Sequence, residues 1–193
     1  MRNLVSAHRG VHLLTDSIAQ DAASRDDVAS LVRSAQSGDR EAFGVLYERY
    51  ARYVHGILLA RLPADDAPDL VHDVFLQAFE RLRTLREPRA FAGWLAAIAR
   101  NRSLDQLRGR RVVQPLEDHP APPESPEARA DAERALAAIQ RLPDAYRETL
   151  VLRLVEGLTG PEIARLTGLT PDSVRVNLHR GFKLLREQLG VAP

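Results

Sequence analysis

The sequence predicts an all-α protein of two small helical domains joined by a flexible linker. Three observations carry this. From Asp27 onward apolar residues recur at three- and four-residue spacing, and nowhere do they alternate as in a half-buried strand. Between Val112 and Pro126 lie Pro115, Pro120, Pro122, Pro123 and Pro126 among acidic residues, a composition that builds no core and reads as an extended linker. Helix-start and helix-stop residues punctuate the chain on both sides of that stretch. A length of 193 residues accommodates one medium domain or two small ones.

Residues 1–26 show no sustained periodicity and read as a loose extension. His8 and His12 stand four apart, but no further ligand lies near them in sequence, so they read as a solvated pair rather than a metal site. Val28 to Gln36 predicts a short helix ending at Gly38. Asp39 is placed to cap the next helix, because its carboxylate can accept from otherwise unpaired first-turn amides. That helix carries one apolar stripe of Phe43, Leu46, Tyr47, Tyr50, Val54, Ile57 and Leu58. Pro63 and Pro68 bracket a break. A third helix puts Leu70, Val71, Val74, Phe75, Ala78, Phe79 and Leu82 on one face. After a loop from Thr84 to Pro88, a fourth begins near Arg89 and runs through Trp94, Leu95, Ile98 and Leu104 towards Gly109. Trp94 reads as core. Beyond the linker a helix is expected from about Asp131 to Leu142, stopped by Pro143. Another runs from Asp144 to Glu156, with Tyr146, Leu150, Leu152 and Leu154 apolar and Gly157 as its stop.

The next segment holds the strongest local signal. Thr159-Gly160-Pro161-Glu162 forms a capping box, in which the Thr159 hydroxyl and the Glu162 carboxylate satisfy each other's backbone amides. Pro161 does no harm there, since first-turn amides lack helical partners. Gly168 ends this short helix, and Thr170-Pro171 starts a longer one running to about Gln188. Short helix, glycine turn, long helix is a helix-turn-helix. On the long helix Val174, Leu178, Gly181 and Leu185 point one way, while Asp172, Arg175, Val176, His179, Arg180 and Lys183 point the other. Arginine can pair with both acceptors of guanine, a contact worth ~1–3 kcal/mol of discrimination, so this face suits a major groove. The plainer alternative is a helical hairpin with a solvated basic face. Gly181 in mid-helix costs ~1 kcal/mol relative to alanine and is read as permitting close approach to the preceding helix.

Composition narrows the function classes. Hydrophobic residues make up 45% and charged residues 27%, the balance of an ordinary globular protein. No apolar run approaches the ~20 residues of a membrane span, and no signal peptide is recognisable. The absence of cysteine excludes disulfides and thiolate metal sites and fits a cytoplasmic location. Net charge is only +1, but charge is unevenly spread: Arg100, Arg102, Arg108, Arg110 and Arg111 face one opposing acid, Asp105. Asp65, Asp66, Asp69 and Asp73 form an acidic group, and Glu117 to Glu133 is acidic again.

Asp69-Leu70-Val71-His72-Asp73-Val74-Phe75-Leu76-Gln77-Ala78-Phe79 resembles the core-polymerase-binding segment of region 2 of bacterial RNA polymerase sigma factors. Phe91-Ala92-Gly93-Trp94-Leu95-Ala96-Ala97-Ile98-Ala99-Arg100-Asn101, with its arginine tail, looks like the promoter-melting part of that region. Leu142 to Leu189 is similar to region 4. With no region 3 domain between them, the resemblance points to the extracytoplasmic-function (ECF) subfamily of the sigma-70 family and covers about residues 28–189. It divides the chain into a region 2 domain at 27–111, a linker at 112–130 and a region 4 domain at 131–190.

The resemblance implies that Asp69, His72, Asp73, Leu76 and Glu80 bind the clamp helices of the polymerase's largest subunit. The family often has Gln-Glu where this chain has His72-Asp73. Leu76 on an otherwise polar face fits a partner surface better than a free one. Arg86, Arg89 and Phe91 would form a pocket for a flipped base of the −10 element, with Asn101 near that base and Arg100, Arg102, Arg108, Arg110 and Arg111 on phosphates. Extruding a base costs a few kcal/mol, which a fitted pocket must recover. Thr170, Asp172, Ser173, Arg175, Val176, His179, Arg180 and Lys183 would meet the −35 element. The two elements lie about 25 base pairs apart in the family, roughly 85 Å at ~3.4 Å per step. About 20 extended linker residues reach at most ~70 Å, and the breadth of two domains covers the rest. The family's linker threads the polymerase near the RNA path, where acidic residues would mimic RNA. Implied partners are core RNA polymerase, promoter DNA and an anti-sigma factor; no cofactor, metal or covalent chemistry is implied. One rival is a stand-alone helix-turn-helix regulator. Another is a magnesium-dependent prenyl-transfer enzyme, whose DDxxD spacing Asp65-Asp66-Ala67-Pro68-Asp69 matches; there Pro68 is expected to interrupt the helix that motif needs.

Overall fold

Eight α-helices and three single 3-10 turns, with no strand, make up residues 26–110 and 126–190, which the computed structural model describes. The His8/His12 pair, Arg111 and linker residues 112–125 lie outside the described residues.

The first helix, α1 (26–36), buries Val28, Ala29, Val32 and Ala35. Asp26, the last residue assigned to the loose extension, is already helical. Gln36 at its end donates from Nε2 to the carbonyls of Leu82 (2.9 Å) and Leu85 (2.8 Å), satisfying acceptors that the end of a helix leaves free. Asp39 caps α2 (Arg40–Leu59) by accepting from the Ala42 amide at 3.1 Å. The α2 stripe is buried as expected at Leu46, Tyr50, Val54, Ile57 and Leu58, with Phe43 and Tyr47 partly buried beside it.

A 3-10 turn (Ala64–Asp66) leads into α3 (Ala67–Arg81). Pro68 does not interrupt this helix: it sits in the first turn, where its missing N–H has no partner to lose. Leu70, Val71, Val74, Phe75, Ala78 and Leu82 are buried, but Phe79, expected in the same stripe, is 46% exposed. Its ring meets the ring of Phe43 in an edge arrangement, centroids 4.9 Å apart. Two further 3-10 turns (Leu82–Thr84, Pro88–Ala90) precede α4 (Phe91–Arg110). Helices α2, α3 and α4 pack pairwise around one core. Trp94 is partly buried against it, as expected.

The chain resumes with α5 (Pro126–Gln140), five residues earlier than the sequence suggested, so the part of the linker assigned to 126–130 is helical. Pro126 reads as a linker proline by composition, yet proline is favoured at a first helical position, and Glu127, Ala128, Arg129 and Ala130 all propagate a helix well. Then come α6 (Asp144–Leu154), α7 (Gly160–Thr167) and α8 (Pro171–Leu189). Leu154, one of the apolar residues of α6, is 48% exposed at its end.

Helix α6 holds five consecutive buried residues, Glu148 to Leu152. No helix with a single covered face does this. It packs against α5, α7 and α8 on one side and against α2 on the other, and the cores of the two halves form one continuous cluster.

Candidate nucleic-acid and polymerase interfaces

Three surfaces stand out. On α3, Asp69, His72, Leu76 and Glu80 are exposed and Asp73 is partly so. Leu76 is 51% exposed, an apolar side chain with His72, Asp73 and Glu80 at neighbouring helical positions. Phe79 stands three residues on and adds a second apolar side chain to the flank of this face. Sequence reasoning assigned it to the core because it falls at the margin of the stripe.

On α4 the predicted residues divide. Asn101 and Arg108 are exposed on one face, with Leu104 between them at helical spacing. Arg108 lies 3.5 Å from Asp105, and with both largely in solvent the pair contributes little. Arg102 donates to Asp73 of α3 at 2.6 Å, joining a residue of the expected polymerase face to one of the expected DNA face. Arg100 points the other way, into the C-terminal half, and donates to Glu148 of α6 from Nη2 (2.7 Å) and Nε (3.2 Å). The hydrogen-bonded Glu148 carboxylate holds the Arg100 guanidinium above its ordinary pKa, and burial opposes this only in part. Arg86 is exposed, and so is Arg89, bound to Asp26 at 2.6 Å. Phe91 corrects the sequence reading. It is fully buried, edge-on to Tyr50 at 5.2 Å, so its ring anchors the start of α4 and lines no surface pocket. Of Arg110 only the helical backbone is described.

The third surface is the helix-turn-helix. Thr159 and Glu162 form the capping box, with Glu162 accepting from the Thr159 amide (2.7 Å) and hydroxyl (2.6 Å). Gly168 turns the chain at φ 75°, a left-handed conformation that favours glycine. Thr170 caps α8, accepting from the Ser173 amide at 3.1 Å. Ile163, Ala164, Leu166, Val174 and Leu185 are buried beneath, while Thr170, Asp172, Arg175, Val176, His179, Arg180 and Lys183 are exposed and Ser173 is partly covered. Among the described residues Arg175 pairs with exposed Asp172, at 3.2 Å. Gly181 does permit close helix approach, but to α6: a Cβ there would meet Leu150 Cδ1 at 3.0 Å and Tyr146 Cβ at 3.3 Å.

The hydrogen bonds from Thr159 hold the Glu162 carboxyl below its usual pKa. A depressed carboxylate contributes stability that is present above its unfolded pKa and fades as pH falls through its folded one. Thr159→Ala should therefore cost about 1 kcal/mol at neutral pH. The cost should shrink once acid protonates Glu162, a trend that thermal unfolding of both proteins from neutral pH into the acid range would check.

Residues 46–112 match the family model for Sigma-70 region 2, and residues 132–185 match that for Sigma-70, region 4. The RNA polymerase sigma factor CarQ of Myxococcus xanthus is 37% identical over 164 residues, covering 80% of this chain and 93% of CarQ. The ECF RNA polymerase sigma-E factor of Escherichia coli K12 is 30% identical over 167 residues, covering 78% of this chain and 87% of that protein. The structure of CnrH in complex with the cytosolic domain of CnrY superposes with a TM-score of 0.59 at 27% identity, covering 86% of this chain and 99% of CnrH. Both halves thus match in order, and the chain belongs to the sigma-70 family as an ECF-type RNA polymerase sigma factor, a protein that directs promoter-specific transcription initiation.

Proposed function

We propose that the exposed α3 face, Asp69, His72, Asp73, Leu76 and Glu80 with Phe79 at its flank, docks on core polymerase. Its domain, 27–111, would engage the −10 element through Asn101, Arg108 and the arginines of α4. The domain at 131–190 would read the −35 element through α8. The observation that carries the docking assignment is Leu76, half exposed on a face otherwise made of acids and a histidine. Such a side chain costs solvation in the free protein and gains it back on a partner. The protein itself performs no covalent chemistry, since the polymerase supplies it. It acts in the cytoplasm; among the described residues no helix is long and apolar enough to cross a membrane. An anti-sigma partner would cover the same faces; CnrH, of similar fold, was solved in complex with the cytosolic domain of CnrY.

Transcription in vitro tests this reading, using core polymerase with and without the protein on promoters recovered from genomic DNA bound by the reconstituted complex. Initiation at defined sites only in its presence supports the reading. Tight DNA binding without polymerase association would favour a stand-alone regulator. Arg175→Ala should weaken −35 binding by ~1–3 kcal/mol, roughly five- to 150-fold, and relax specificity at one base position. Since the Arg175–Asp172 pair lies largely in solvent, the variant's melting temperature should not move.

A further inference from the structure

Of the 27 lysine and arginine residues in the chain, Lys183 is the only lysine. The difference is chemical. A guanidinium keeps its proton and does not attack acyl groups, whereas the lysine amine does and is the usual target of acylation. Among the strongly basic side chains only Lys183 is therefore open to this chemistry.

The fold puts that amine on one particular surface. Lys183 is exposed on α8 (Pro171–Leu189), seven residues and two turns beyond Val176 on the same face, about 10 Å along the helix axis. The N-terminal residues of a recognition helix meet base edges. In a major groove about 12 Å wide, a cation two turns further on reaches the phosphates at the margin. Arg180 and Arg186 stand three residues to either side of Lys183, and both are exposed. Unlike Arg175, which pairs with Asp172, none of these three cations is held in an ion pair among the described residues. Their charges are thus not used to hold the helix in place, and neutralising one of them leaves the packing of α8 intact.

We propose that Lys183 is an acylation site that lowers the affinity of α8 for promoter DNA, with an acyl phosphate as donor. The proposal rests on the reading of α8 as the −35 surface. The amine nitrogen attacks the acyl carbon and a C–N bond forms. The C–O bond to phosphate breaks, phosphate leaves with its electron pair, and the proton lost by nitrogen passes to water. The resulting amide keeps the side-chain stem and loses the charge. Arg180 and Arg186 offer the donor's phosphate the same cationic ground that they offer DNA, so donor and promoter compete for one surface.

The full chain is treated with acetyl phosphate, freed of reagent and then assembled with core polymerase, whose own lysines stay unmodified. Peptide mass spectrometry should find Lys183 acetylated. Promoter affinity of the assembled complex should fall about five- to tenfold at about 0.1 M salt, the weight of one phosphate contact. The slope of log affinity against log salt should become shallower by about one. Lys183→Arg offers no side-chain amine, so treatment should leave its affinity where it began, whatever that value is. This comparison also removes any effect of the α-amino group, which both proteins carry. The treated and untreated chains should melt at the same temperature. An unreacted Lys183 overturns the site. Acetylated Lys183 with unchanged promoter affinity, or an equal loss in treated Lys183→Arg, overturns its effect on DNA binding, and so does a lowered melting temperature, which would make the loss one of folding. No promoter binding by the untreated complex overturns the reading of α8 itself.

Discussion

Leu76→Arg is expected to lower affinity for core polymerase about thirtyfold or more, corresponding to about 2 kcal/mol or more, and to leave the melting temperature unchanged. The two halves of this expectation have separate causes. Leu76 is 51% exposed, so the free protein loses little packing when it is replaced, and the arginine enters a field set by Asp69, Asp73 and Glu80 that favours a cation. A docking surface responds differently. An apolar anchor desolvated at the centre of an interface concentrates binding energy, and a charge placed there must be buried without an assigned partner. Titration of fluorescently labelled protein with core polymerase, beside a thermal melt, separates the two. Equal affinity for parent and variant would show that polymerase binds elsewhere, and a fallen melting temperature would show that Leu76 is structural.

Gly181→Val is expected to destabilise the helix-turn-helix by about 1–3 kcal/mol and to reduce −35 binding at least as strongly as removing a contact residue. A Cβ at this position already meets Leu150 Cγ at 3.1 Å and Tyr146 Cβ at 3.3 Å, and valine adds two methyl groups to its first carbon. Leu150 is fully buried and cannot swing aside. Helix α8 must therefore move away from α6, tilting a recognition surface whose own residues are intact. DNA binding by the isolated α8 face would not report this, but binding by the full chain beside its thermal unfolding would. Binding equal to the parent's, at unchanged stability, would contradict the packing described here.

Much of this architecture is written in local chemistry. The Asp39, Thr159 and Thr170 caps, the left-handed turn at Gly168 and the stripes of α2 and α3 follow from rules that act within four residues, and they stand where the sequence puts them. The misread features depend on distant chain. Phe79 sits at the margin of its stripe, and only the lie of α2 decides that it stays half in water. Phe91 is apolar beside a loop, which suits a pocket and a core equally; Tyr50 settles it. The start of α5 was hidden because Pro126 continues a proline-rich run and also makes a good first helical residue. The Glu148 contacts had one faint signal, a carboxylate abutting the apolar run of Leu150, Val151 and Leu152. Its partners, 87 and 48 residues away, could not be named from it.

The ion pair between Asp73 and Arg102 has a further meaning in terms of linkage. Asp73 belongs to the face proposed for polymerase and Arg102 to the helix proposed for DNA, and at 2.6 Å each occupies the other. Whatever claims Asp73 leaves Arg102 free to meet a phosphate, and whatever claims Arg102 leaves Asp73 free in return. Reciprocity requires that the two partners help each other to the same degree. With both side chains around 40% exposed the pair is worth only about 0.2–1 kcal/mol, which limits this cooperation to roughly fivefold at most. Polymerase and promoter would thus be coupled through this contact gently, as a bias towards the ternary complex rather than a requirement for it.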